Sequence, residues 1–223
     1  MKLSFVIPTL NEEAYIRSCL EPLQWYRNRG HEVILADGGS TDDTLVIAKP
    51  LVDRIIISER GRARQMNAGA ETASGDVFLF VHADTKLGAD VVELFAEKIH
   101  SVRAWGRFDV RLSGAHPMLR IIEFLMNLRS RWTGIATGDQ VILVTRTLFR
   151  ECGGFHDVPI MEDVEMSSRL LRFCRPICLR TKVVTSSRRW EQNGIMRTVM
   201  KMWYLRLIYF FGADPEMLAR KYG

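Results

Sequence analysis

Disulfide frameworks, low-complexity tracts and long hydrophobic runs are all missing from this chain. Its four cysteines, at 19, 152, 174 and 178, are scattered over 223 residues and form no zinc-ribbon pairs. That spacing excludes a disulfide-stapled secreted scaffold and fits a reduced, cytoplasmic protein. No stretch approaches the roughly 20 apolar residues that a membrane-spanning helix needs. The opening MKLSFVIPTLNEE carries one lysine and a short apolar run broken by Pro8, too little for a signal-peptide core. Neither sign of charge dominates, with 31 Lys/Arg against 26 Asp/Glu.

What remains is ordinary globular material: 47% hydrophobic and 26% charged residues, with a mean hydropathy of −0.03. A chain of this length can bury a core without staples, and one large domain is expected. The net charge of +5 is unevenly placed, because residues 188–223 hold seven Lys/Arg and three Asp/Glu. The sequence pI of 9.2 therefore reflects one end, where the cations lie among apolar residues. That mixture points to a membrane surface rather than to nucleic acid.

The first half alternates β-rich runs with helical patterns. Strands are predicted at 3–7, 32–36, 54–58 and 77–81, with helices over 12–27, from about 41, and over 61–72. Near-continuous apolar strands separated by helices imply a parallel sheet covered on both faces. In the second half the pattern predicts helices over 89–103, 118–128, 162–173, 195–211 and 214–222. Strands are expected at 106–112, with one wet face, and at 140–145. Asp214, before Pro215, is the expected cap of the last helix.

Ligands of an open parallel sheet sit beyond the carboxyl ends of its strands, and polar clusters fall on those ends. Pro8-Thr9-Leu10-Asn11-Glu12-Glu13 follows the first strand. Asp37-Gly38-Gly39-Ser40-Thr41-Asp42-Asp43-Thr44 follows the second, with glycines for a tight turn and Ser40 or Thr41 to cap a helix. Arg60, Arg62 and Arg64 flank a helix start in RGRARQMNAGA, where side-chain charge and backbone amides together suit phosphates. His82-Ala83-Asp84-Thr85 ends an almost wholly apolar strand, and packing does not explain its carboxylate. It suits a divalent cation that also takes diphosphate oxygens. Glu162 and Asp163 open a predicted helix, where acids suit the macrodipole and a carboxylate can serve as general base. Ser186-Ser187-Arg188-Arg189-Trp190 joins cations to an aromatic face. Each cluster alone also reads as ordinary capping or a solvated charged face.

Taken in order, FVIPTLNEE, ADGGSTDDT, HADT, GGFHDVPIMEDVE and RRW resemble the family-2 glycosyltransferases of GT-A fold. The likeness reaches about Trp190, and GRARQMNAGA with the tail is most similar to the short bacterial branch associated with radical-SAM and selenodomain proteins. The resemblance implies an α/β, Rossmann-like, mostly parallel sheet with helices on both faces and a C-terminal helical extension. It divides the chain into a glycosyltransferase domain over 1–190, with a nucleotide-binding half over 1–104 and an acceptor half over 105–190, and an extension over 191–223. It implies an inverting, metal-dependent transfer of a sugar from a nucleotide-diphosphate donor to an acceptor hydroxyl.

By the same resemblance, Asp37 meets the nucleotide base, while Pro8, Thr9, Glu12 or Glu13, Gly39, Arg62 and Asn67 serve the donor. The family's Asp-x-Asp metal motif stands as His82-x-Asp84, leaving Asp84 as the ligand for Mn²⁺ or Mg²⁺. Asp163 resembles the base, with Glu162 beside it. The family's Gln-x-x-Arg-Trp stands as Ser186-x-x-Arg189-Trp190, which puts Arg189 and Trp190 near acceptor or diphosphate. Two alternatives stay open, a non-catalytic nucleotide-sugar binder or membrane adaptor, and a sugar nucleotidyltransferase. The latter resembles proteins with a glycine-rich loop after the first strand, which this sequence does not have. Residues 195–211 are expected to lie on a membrane, at the cytoplasmic face, beside an acceptor for which a lipid-linked molecule is one option; a core helix is the competing reading.

Overall fold

The computed structural model describes residues 1–88, 95, 98–99 and 101–222. Strands β1 (Leu3–Thr9), β2 (Glu32–Asp37), β3 (Arg54–Ile57) and β4 (Val77–Phe80) alternate with helices α1 (Glu13–Arg27), α2 (Thr44–Ala48) and α3 (Arg62–Thr72). These strands pair in parallel in the order β3-β2-β1-β4. Leu3, Phe5 and Ile7 of β1 pack with Ile16, Leu20 and Leu23 of α1, while Val6 packs with Ala63 and Met66 of α3. Both faces of the strand are covered, which is why it reads as an unbroken apolar run. Helix α2 starts three residues later than predicted, because Ser40 Oγ donates to Asp37 and Asp42 accepts the Thr44 amide instead.

The second half supplies β5 (Thr85–Lys86), β6 (Trp105–Leu112), α4 (Pro117–Thr133), β7 (Ile142–Thr145), α5 (Arg146–Glu151), α6 (Glu162–Leu170), β8 (Ile177–Thr185), α7 (Arg188–Gln192), α8 (Ile195–Phe210) and α9 (Pro215–Tyr222). The sheet continues as β4-β7-β6-β8-β5. Strand β7 runs antiparallel to both neighbours, β8 is parallel to β6, and β5 is antiparallel to β8. The sheet is thus more mixed than the sequence predicts. Strands β5 and β8 and helices α5 and α7 were not expected as elements. In β8 the buried Leu179 and Val183 are interleaved with Arg180 and Lys182, which breaks up the apolar signal. The helix predicted over 89–103 lies largely outside the described residues. The Asp214 side chain accepts the Glu216 amide at 3.1 Å, as its place before Pro215 implies.

Strand β6 has no wet face, since only Arg111 within it is exposed. Its pairing with β7 covers Trp105–Arg107, and beyond that point side chains of α4 take over. Asn127 exchanges two hydrogen bonds with the Val110 backbone, and Glu123 accepts the Leu112 amide. Two polar residues inside a largely apolar helix therefore act as a substitute strand edge. Beneath them, fully buried Arg107 pairs with Asp109, which also holds Arg131 at 2.6 Å.

Removing one partner of a buried pair leaves an uncompensated charge. Asp109→Ala should therefore lower unfolding stability by about 3–5 kcal/mol in urea titration. Arg131→Ala, whose side chain is partly exposed, should cost about 1 kcal/mol. Equal losses would mean that Arg107 finds another partner.

Candidate active site

Because β7 runs opposite to β4, Ile142 pairs with Phe80 and the turn preceding β7 lies beside the residues that follow β4. The carboxyl ends of β1, β4, β6 and β8 share that edge. A cleft of about 220 Å³ opens there. Pro8 and Glu12 reach it from β1, and His82, Ala83 and Asp84 from β4. Thr137, Gly138 and Asp139 come from the turn before β7, and Met161 and Asp163 from the start of α6. Ser186, Arg188, Arg189 and Trp190 follow β8, Arg62 comes from α3, and Thr198, Met202 and Arg206 from α8.

The loops after β1 and β2 are knitted together rather than open. Asn11 Oδ1 accepts the Thr41 amide at 2.8 Å, while Ser40 Oγ accepts the Asn11 amide. Asp37 is fully buried, and its carboxylate accepts the Gly39 and Ser40 amides and the Ser40 and Thr9 hydroxyls. Its lone pairs are therefore directed into its own turn, and neither Asp37 nor Thr9 lines the cleft. The predicted contact with a base is not available to Asp37 in this conformation. Gly39, at φ +90°, sits exposed at the tip of that turn, where an L side chain would be strained. Gln65 donates to the Thr9 and Ala36 carbonyls and ties the two strand ends together. Glu13 turns away and accepts the Asp43 amide. Glu12 instead faces Arg188 at 3.5 Å, and burial raises its pKa against that cation's pull.

Asp84 and His82 stand together on the cleft wall. Burial, with the Arg62 charge nearby, pushes the His82 pKa down to about 4, so the ring is neutral near pH 7. Its Nδ1 lies 4.0 Å from Asp139 Oδ1. Among the described residues no group of three or more His, Cys, Asp or Glu forms a full metal cage. One carboxylate beside a neutral imidazole fits a cation that draws its other ligands from phosphate and water. The donor set is thus compatible with a shared, not a protein-enclosed, metal.

The two acids of the α6 start are separated by the fold. Asp163 faces the cleft, with Oδ2 accepting the Gly138 amide and Oδ1 the Val164 amide, both at 2.7 Å. Glu162 is 5% exposed, lies outside the cleft lining, and has Arg62 3.7 Å away. Burial, reinforced by the Asp163 charge, pushes its pKa up to about 7. Of the three predicted phosphate arginines only Arg62 reaches the cleft. Arg64 is held by Glu59 and Asp157, and Arg60 is exposed. Asn67 is also excluded, since its amide group exchanges two hydrogen bonds with the Phe155 backbone. Arg189 and Trp190 do line the cleft, and burial lowers the Arg189 pKa.

Sequence reasoning missed Gly138, Asp139 and Arg206. The signal for the first two was the Thr137-x-x-Gln140 capping box around them. A Cβ on Gly138 would meet the His82 ring at 2.2 Å, so this contact requires glycine. Burial and the Asp163 charge raise the Asp139 pKa. Among the described residues three non-glycine positions hold positive φ, namely Asn11, Val141 and Met161, and all three lie in or beside the cleft segments. Such strained positions concentrate where a loop is held for function.

The fold and this cleft define a GT-A glycosyltransferase framework. A sequence model of glycosyl transferase family 2 matches residues 4–155, and the chain belongs to that family. The PGL/p-HBAD biosynthesis glycosyltransferase of Mycobacterium bovis is 38% identical over 91 residues, covering 38% of this chain and 36% of that protein. The chain spans about a third of the length of the curated relatives it matches. Among solved structures, S. aureus TarS in complex with UDP superposes with a TM-score of 0.68 at 20% identity, over 83% of this chain and 60% of that one. Mannosyltransferase PcManGT from Pyrobaculum calidifontis, in complex with GDP-Man and Mn²⁺, gives 0.64 at 19% identity, over 82% and 56%.

The raised Glu162 pKa carries a stability signature. Between its ordinary value of 4.5 and about 7, the folded chain binds more protons than the unfolded chain, so this group's contribution is lost as pH rises through that window. The Tm of Glu162→Gln relative to the parent should therefore increase from about pH 5 to about pH 8. A difference independent of pH in thermal melts would remove the buried neutral acid from the account.

Proposed function

We propose that the chain transfers a sugar, with inversion, from a nucleotide-diphosphate sugar to an acceptor hydroxyl. One observation carries this reading: Asp84, Arg62, Arg189 and Asp163 converge on a single cleft from four separate parts of the chain. The family and the nucleotide-bound relatives support it. In this reading residues 1–104 hold the donor and 105–190 shape the acceptor side, with 191–223 as an extension. Arg62 and Arg189 neutralise the diphosphate, and Trp190 offers an apolar wall against the sugar or acceptor. Asp84, with His82 beside it, would hold Mn²⁺ or Mg²⁺, which when bound supplies charge neutralisation to the leaving group.

Asp163 takes the acceptor proton. Its two amide hydrogen bonds fix the orientation of the carboxylate and leave lone pairs for the incoming hydroxyl. Asp139 is a second acid in reach of the same space, its pKa raised by burial and by the Asp163 charge. Asp163→Asn should cut transfer by roughly 10²–10⁴-fold with nucleotide affinity retained, and Asp139→Asn should cost less. The reverse order would move the base to Asp139. Calorimetry with UDP and GDP, with and without Mn²⁺, tests the donor site in parallel. The metal enhancement should vanish in Asp84→Ala, and its persistence there would reject Asp84 as ligand.

The proposed cytoplasmic membrane contact rests on the face made by α4 and α8. Phe124, Trp132, Met200, Trp203 and Phe210 are exposed on it, with Arg197 and Lys201 also exposed. Only Thr198 and Leu205 of α8 are buried, which favours an interfacial helix over a core one. No helix among the described residues is long and apolar enough to cross a membrane. The protein should float with anionic but not neutral vesicles, and Arg197→Glu with Lys201→Glu should abolish flotation. Failure to float with anionic vesicles at low salt would reject the contact.

A further inference from the structure

A second, larger cavity of about 740 Å³ lies between α4 and α8. Leu125, Leu128 and Trp132 wall it on one side, and Trp203 and Leu207 on the other. Its inner end is lined by Asp139, Trp190, Met202 and Arg206, which also line the catalytic cleft, so the two spaces are continuous. The walls are almost wholly apolar, and the polar groups gather at the junction.

Two arginines at that junction are incompletely satisfied. Arg129 Nε and Nη2 and Arg206 Nε are shielded from solvent and have no hydrogen-bond partner among the described residues. Neither residue belongs to an ion pair among the described residues. Burial lowers the pKa of both, that of Arg129 to about 10 with the Arg206 charge adding to it, while the Asp139 and Asp163 charges, beyond ion-pair distance, offset this only in part. Two buried guanidinium groups with orphaned donors are costly unless an anion joins them.

An apolar trough that ends in unpaired cations beside a catalytic cleft matches an amphiphile with a hydrocarbon tail and an anionic head. A peptide would need backbone partners along the trough, and the walls supply few. We propose that this groove binds the hydrocarbon chain of a lipid acceptor, with Arg129 and Arg206 receiving its phosphate. The inference rests on the glycosyltransferase reading and names the acceptor class for it.

Titration of the whole protein with octyl, decyl and dodecyl phosphate below their micellar concentrations tests this, read by quenching of tryptophan fluorescence. Affinity should rise roughly tenfold for every two methylenes added, and inorganic phosphate should bind far more weakly than any of them. Leu125→Glu and Leu207→Glu, on exposed groove walls outside the cleft, should weaken dodecyl phosphate at least tenfold while leaving UDP and GDP binding unchanged. Arg206→Gln should weaken dodecyl phosphate but not dodecyl maltoside. Affinity independent of chain length, or equal in parent and both groove variants, would overturn the proposal. So would a dimer in sedimentation that Leu125→Glu dissociates, since the groove would then belong to a second copy. Alkyl phosphate binding without any nucleotide binding would uphold the groove and reject the transferase reading; nucleotide binding without chain-length dependence would do the opposite.

Discussion

The hydrogen bond from the Gly138 amide to Asp163 is the contact on which the cleft depends. It joins the turn before β7 to the start of α6, two segments that share no strand pairing. The same glycine lies against His82, so closely that a side chain would displace the ring. Through one residue without a Cβ, the end of β4, the acidic turn and the α6 carboxylate are brought together. The antiparallel course of β7 makes this meeting geometrically available. A parallel β7 would have delivered its preceding turn to the opposite edge of the sheet.

Charge on the cleft is arranged by depth. Glu162 and His82 are driven toward their neutral forms by burial, so His82 adds no charge near pH 7 and Glu162 adds less than an open carboxylate would. Asp163 is instead anchored in place by two backbone amides. Arginines 62, 189 and 206 face these acids from three elements. Before any diphosphate arrives, Arg62 and Arg189 already share the cleft with Asp84, Asp139 and Asp163.

Much of this was legible in the sequence. The four parallel strands followed from apolar runs covered on both faces, and Asp84, Asp163, Arg189 and Trp190 stood out by position and resemblance. The failures have physical reasons. Arg62 and Arg64 lie two residues apart on one helix, about 200° around its axis, so they cannot face the same ligand. Asn67 is one turn further along α3, where the helix packs against the Phe155 backbone. Asp37 looks like an open acceptor until its own turn donates three hydrogen bonds to it and Thr9 a fourth. Asp139 went unnoticed because an Asp between Gly and Gln in a short polar stretch is ordinary turn composition. Only the tertiary pairing of Phe80 with Ile142 moves that turn into the cleft.

The same limit applies to the tail. Hydrophobic period alone gives residues 195–211 an apolar helix but cannot say which surface its apolar side meets. Arg206 decides the matter, since it lies nearly opposite Arg197 on the helix and points to the cleft. Around it Trp203, Leu207 and Phe210 remain exposed. Helix α4 presents Phe124, Leu125 and Trp132 in the same way, although its inner side is occupied by the buried polar bonds to β6. Asn127 and Glu123 of α4 and Arg206 of α8 point inward, while large apolar side chains of both helices stay at the surface beside Arg197 and Lys201. The extension is thus best understood as completing the cleft with one side and exposing a lipid-compatible face with the other.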